Sequence, residues 1–137
     1  MKGGLQIKRV IDCLEWLELI AEDYTGQQSI TWYIDRLGEL CKSMAFINGQ
    51  MAEAKRALNK KKIAAYESLA VSSIANQEYF APSLAKDYIS AKCEKEQYEY
   101  DLSERCSRTV VHQIEALRSI ISGLKEEMKI AGYAGQT

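Results

Sequence analysis

The densest chemistry in the chain is cationic: Lys55-Arg56, followed four residues on by Lys60-Lys61-Lys62. On a helix, such a run suits phosphate, because each Lys or Arg that meets the backbone of a nucleic acid releases a counterion. Arg118, Lys125 and Lys129 form a second set, which Lys42 and Arg36 would join if the chain folds back on itself. Arg118 and Lys125 are seven residues apart and share a helical face. Both sets have a competing use. In a hairpin that turns near residues 78–79, Lys61 lies opposite about residue 96, among Glu94, Glu96, Glu99 and Asp101, so the first run could neutralise acids. The second could be a solvated flank beside Leu117, Ile121 and Leu124, balanced by Glu115, Glu126 and Glu127.

Aromatic residues interleaved with cations would make stacking platforms for single-stranded bases. Tyr98 and Tyr100 sit among acids instead. The aromatics therefore read as core and interface, with Tyr79-Phe80 as a docking knob.

Nothing assembles into a reaction centre. Cys13, Cys41, Cys93 and Cys106 contain no CxxC pair, and His112 follows Cys106 by six residues, off its helical face, so zinc spacing is absent. The cysteines read as reduced, small apolar residues. His112 has Ser107, Ser119 and Glu115 near it, yet neighbours on one helix surface make no cleft. Gly3-Gly4 opens neither of the glycine-rich phosphate motifs. Glu94, Glu96 and Glu99 resemble a solvated face more than a metal box. The expectation is a protein that is not an enzyme, with no cofactor and no metal.

Composition narrows the class. Lys plus Arg is 18 against Asp plus Glu 19, for a net charge of −1, so any contact with nucleic acid must come from a local patch. An apolar share of 47% is enough for a core, and a single Pro leaves few turns and long elements. The charged start Lys2…Lys8-Arg9 does not suit a signal peptide, and no uncharged apolar run nears the roughly 20 residues of a membrane span. A cytoplasmic address with no membrane partner is expected.

The elements that must carry the cations are helical. Residues 5–23 place Ile7, Val10, Leu14, Leu17 and Ala21 on one stripe. Its bases lie first and its acids last, against the helix dipole, so packing must hold it. Residues 28–75 start from Ser29 as N-cap. They follow Ile30, Ile34, Leu37, Cys41, Met44, Asn48 and Met51 in a coiled-coil rhythm, widened by Leu40 and Ile47. That rhythm passes through Asn48-Gly49, which favours one long helix over a turn and places Asn48 on the seam. Asn76 suits a left-handed C-terminal position and Pro82 a first helical turn. Residues 82–131 form the last helix, with Val110, Ile114, Leu117, Ile121, Leu124 and Met128 as its seam, Tyr98, Leu102 and Cys106 stepping by four before it, and Gly132 as its stop.

Two helices of more than forty residues would each reach on the order of 65–70 Å. The fold expected is all-α: one domain over residues 1–137, a long antiparallel, coiled-coil-like helical hairpin with a short N-terminal helix. One hairpin and one short helix cannot cover both faces, so a homo-oligomer is expected.

Ala116-Leu117-Arg118-Ser119-Ile120-Ile121-Ser122-Gly123-Leu124-Lys125-Glu126-Glu127 resembles the last helix of small helical phage and prophage proteins encoded beside recombination and replication functions. The Ala52 to Tyr66 stretch is similar to the middle of such proteins, and the general pattern is like that of UvsY-type recombination mediators. The resemblance covers the last two-thirds of the chain. It implies a ring-forming accessory protein that binds single-stranded DNA and helps load a recombinase, alone or with an ssDNA-binding protein. Arg118 and Lys125 are the positions it carries over. The nucleic-acid contacts expected from the residues and the resemblance together are Lys42, Lys55, Arg56, Lys60, Lys61, Lys62, Arg118 and Lys125. The alternative is a structural or adaptor coiled coil with no nucleic-acid role.

Overall fold

The computed structural model describes residues 7–135. Of the described residues 87% are helical and none lies in a strand. The elements are α1 (Val10–Ala21), α2 (Ile30–Asn76), α3 (Pro82–Lys92) and α4 (Glu94–Gly135). The chain divides into two compact units, one of Met1–Asn48 with Arg105–Thr137 and one of Gly49–Glu104. No described helix is long and apolar enough to cross a membrane.

In the first unit, α1, the start of α2 and the later part of α4 bury a common core of Cys13, Trp16, Leu17, Ile20, Tyr33, Leu40, Ile47, Cys106, Val110, Leu117 and Ile121. Each large aliphatic or aromatic side chain removed from water there contributes about 1.5–3 kcal/mol. That burial holds α1, whose charges oppose its dipole. Asp12 relieves part of the conflict by accepting from the Arg9 backbone N–H at 3.0 Å and from its guanidinium at 2.8 Å. The Arg9 guanidinium in turn holds the Asp12 carboxyl below its ordinary range. Gln113 ties α4 to the same helix, donating to the Leu17 carbonyl at 2.9 Å and accepting from the Tyr24 hydroxyl at 2.9 Å. The expected start near Leu5 lies outside the described residues, and the helix itself begins at Val10 and ends at Ala21, which is exposed.

The face that α2 buries is only part of the expected one: Ile30, Leu37 and Met44 of the seam pack against the core, and the widening residues Leu40 and Ile47 lie within it. Tyr33, Leu40 and Ile47 are fully buried, seven residues apart, whereas Ile34, Cys41 and Asn48 are exposed. Asn48 is therefore not a buried register residue. Both rows carry apolar side chains, and α1 decides between them by offering Trp16, Leu17 and Ile20 to the same core. Ser29 does cap α2, accepting from the Trp32 N–H at 3.2 Å. The buried Tyr33 hydroxyl accepts from the backbone N–H of Gly26 at 2.7 Å and of Gln28 at 3.4 Å, which fixes the loop before the helix. Gly26 stands at φ 81, the left-handed region that glycine enters without a Cβ penalty.

α2 runs unbroken through Asn48-Gly49, and the rest of it belongs to the second unit. Leu58, Ala65, Leu69, Cys93 and Ser103 are the buried residues of that unit. α2 closes in a Schellman arrangement: the Glu78 N–H reaches the Ser73 carbonyl at 3.1 Å and the Gln77 N–H that of Ile74 at 3.4 Å. The left-handed residue is Gln77, at φ 52, one position beyond the expected Asn76. The Ser73 hydroxyl donates to the Glu78 carbonyl.

Pro82 opens α3 in its first turn, as its fixed φ and missing N–H favour. The single helix expected over residues 82–131 is two helices, because Cys93 leaves helical geometry at φ −104, ψ 11, and its N–H is shared by the Ile89 and Ser90 carbonyls. Lys92 at the end of α3 and Glu94 and Glu96 at the start of α4 each suit the dipole of their own helix. On α4, Val110, Leu117 and Ile121 are buried as the seam requires, but Tyr98 and Met128 are exposed. Gly132 does not stop the helix, which continues to Gly135.

Candidate functional site

Lys55, Arg56, Lys60, Lys61 and Lys62 are all exposed, and none forms an ion pair among the described residues. Glu94 and Glu99 are likewise exposed and Glu96 is half-buried; none of the three forms an ion pair among the described residues, where Asp101 accepts only the Gln97 side-chain amide, at 2.9 Å. The direct neutralisation expected between the two runs is therefore not formed. Side chains on this stretch of α2 flank a buried row of Leu58, Ala65 and Leu69, and its helical repeat sorts the cations. Lys62, Lys55, Arg56 and Lys60 fall within an arc of about 160°, while Lys61 lies on the other flank of the buried row. Inside that arc stand Asn59, Ile63, Tyr66 and the exposed acid Glu67, with Ile63 60% and Tyr66 64% exposed. An exposed tyrosine ring among four unpaired cations is the combination that a flexible polyanion with planar bases can use.

The second basic set does not gather as expected. Arg118, Lys125 and Lys129 share one exposed line of α4, and Lys129 pairs with Glu126 at 3.6 Å. The Ser107 hydroxyl lies 4.0 Å from the Met44 sulfur. That contact sets Lys42 level with about residue 109, some two and a half turns from Arg118. Lys42 also projects from the side of α2 opposite Leu40 and Ile47. Arg36 is withdrawn from any such role. Its side chain is only 17% exposed, pairs with Glu39 at 3.6 Å, and lies 4.8 Å from the Trp32 ring centre and 5.9 Å from that of Trp16.

Trp16, Tyr24, Trp32 and Tyr33 around Arg36 form an aromatic cluster that sequence reasoning missed. Tyr24 and Trp32 meet edge to face at 6.4 Å, and Trp32 and Tyr33 at 5.1 Å. The legible signal was Trp32 and Arg36 one turn apart, with Glu39 three residues further. The Arg36 Nε is buried without a hydrogen-bond partner, and the ring faces are its compensation. Burial, reinforced by Asp23 and Glu39 and opposed by Arg36, pushes the Tyr24 hydroxyl up to about 12.

The remaining polar groups do not converge on a centre. His112 meets Glu115 at 3.9 Å with both side chains largely exposed. No group of three or more potential metal ligands occurs among the described residues. Cys13 and Cys106 are fully buried, and the Cys106 thiol, hydrogen-bonded to Cys13 and desolvated, is pushed well above its ordinary range. Buried in the core, both thiols pack as small apolar groups. A shallow, mostly apolar groove lies between Gln28, Ser29 and Ile30 at the start of α2 and Leu124, Glu127, Met128 and Ala131 of α4. Its one carboxylate has no acid–base partner there. Compared with known proteins, the chain matches no family model, no curated protein and no solved structure.

Proposed function

We propose that the protein is a helical accessory factor of phage or mobile-element recombination or replication. It acts by association and not by catalysis, and it holds single-stranded DNA on the cationic arc of α2 for a recombinase. The supporting observation is that Lys55, Arg56, Lys60 and Lys62 share one arc with the exposed Tyr66 and form no ion pair among the described residues. Arg118 and Lys125 are a separate and weaker contact in this reading, and Lys42 and Lys61 contribute least. The cytoplasm is where such a protein works.

Association is part of the reading. The buried steps of seven, Tyr33 to Leu40 to Ile47 and Val110 to Leu117, support the reading of a coiled-coil-like antiparallel hairpin. Ile63, Tyr66, Val71 and Ile74 leave an apolar surface on α2 that suits a homo-oligomer. A second reading, a structural adaptor without a nucleic-acid role, is favoured by the net charge of −1 and by that same surface.

Fluorescence anisotropy with a labelled single strand separates them. Strand binding by four cations gives a log–log salt slope of about −3. Charge removal at Lys55, Arg56, Lys60 and Lys62 should flatten it, and Lys61→Gln should leave it almost unchanged. No binding at low salt, or binding indifferent to salt, removes the DNA reading and leaves the adaptor.

A further inference from the structure

We propose that two outward lines of the second unit pair head to tail between copies of this chain. Arg56, Lys60 and Ile63 of α2 in one copy would meet Glu94, Tyr98 and Asp101 of α4 in the next. The inference rests on the reading of the protein as a self-associating module and names the surface that does it. Each line steps by four and then three residues, so each occupies one helix face and spans about 10 Å. All six residues are exposed, Ile63 by 60% and Tyr98 by 62%. Each line lies away from its own helix's buried row: Leu58, Ala65 and Leu69 on α2, Cys93 and Ser103 with α4.

The occupant follows from charge. One line carries two cations and an aliphatic chain between the exposed Glu53 and Glu67, the other two carboxylates and an aromatic ring ahead of the exposed Arg105, so that their central parts are opposite in sign and their flanks are opposite again. None of these charges has an ion-pair partner among the described residues. Lines of equal length and opposite sign let Arg56 and Lys60 meet carboxylates or the Tyr98 ring, a face that attracts cations, while Ile63 and Tyr98 leave water together. Because the two lines are different surfaces, each copy offers one to either neighbour, the heterologous arrangement that closes into rings or extends into arrays. Glu94 and Asp101 then stand in for phosphate, so a single strand and a neighbouring copy compete for Arg56 and Lys60.

Light scattering on purified full-length chain tests this without DNA. The wild type should associate, and raising salt from about 0.05 M to about 0.5 M should weaken it, because exposed charges are screened within a few ångströms at the higher value. Arg56→Glu with Lys60→Glu in one variant, and Glu94→Lys with Asp101→Lys in another, should each weaken association by about 100-fold or more through like-charge contact. An equimolar mixture of the two variants should recover it, since each supplies the sign the other lacks. Circular dichroism checks that the variants keep their helix; if one does not, the wild-type salt titration decides. A monomeric wild type overturns the association reading and this inference together. An oligomer indifferent to salt and to both reversals overturns this surface alone. Failure of strand binding in the anisotropy experiment changes none of these outcomes.

Discussion

The two units of the chain are built from stretches of the same helices and treat their apolar residues in opposite ways. The first encloses Trp16, Leu17, Ile20, Tyr33, Leu40, Ile47, Val110, Leu117 and Ile121 between segments of three helices. The second buries Leu58, Ala65, Leu69, Cys93 and Ser103, and α3 contributes no buried residue. It leaves Ile63, Tyr66, Val71, Ile74, Tyr79, Leu84 and Tyr98 more than half exposed. Polar chemistry divides in the same way. In the first unit Tyr33, Gln113 and Arg36 spend their polar groups on the loop, on α1 and on the aromatic cluster. In the second Lys55, Arg56, Lys60, Lys61, Lys62, Glu94, Glu96 and Glu99 form no ion pair among the described residues. The difference teaches that one unit spends its apolar and polar groups on its own stability, while the other leaves apolar surface and charge exposed.

The largest expected effect is a contrast in truncation. Leu40→Ala or Leu117→Ala, in the first unit, should cost about 2–5 kcal/mol in denaturant unfolding. Ile63→Ala or Ile74→Ala, at low protein concentration, should change stability by no more than about 0.5 kcal/mol. Equal costs would erase the distinction. A smaller loss is expected for Tyr33→Phe, which leaves the Gly26 and Gln28 N–H groups without their buried acceptor, at about 1–3 kcal/mol. Smaller still, and opposite in sign, Gln77→Gly should stabilise the second unit by about 1 kcal/mol, because a left-handed φ of 52 is costly for a residue with a Cβ.

The least effect comes from pH. The Tyr24 hydroxyl titrates at about 12 when folded against an ordinary 10.0, so the folded state holds this proton more tightly than the unfolded one. Its contribution is complete below pH 10 and lost as pH rises towards 12. Tyr24→Phe should make stability less sensitive over that window, as followed by thermal unfolding at stepped alkaline pH.

Much of this was legible in single residues. Ser29 as a cap, Pro82 as a first-turn residue and the unbroken passage through Asn48-Gly49 follow from local chemistry and repeat. The buried face of α2 was legible in part: Leu37, Leu40, Met44 and Ile47 were on it, but the exposure of Ile34 and Cys41 was not, because they are as apolar as Leu40 and Ile47 and only packing against α1 chooses between the two rows. The break at Cys93 carried no glycine or proline, and its signal was the charge change from Lys92 to Glu94. For the candidate site, the cations and acids could be read from the sequence, but not that they fail to pair. Pairing depends on how the side chains project from their helices, and sequence separation alone does not give that.

Hydrogen exchange along α2, measured at low and high protein concentration, tests the central contrast most directly. Amides of residues 30–47 should be strongly protected and indifferent to concentration, whereas those of residues 54–74 should be weakly protected when dilute and slow as copies associate. Uniform protection along the helix, unchanged by concentration, would contradict the account.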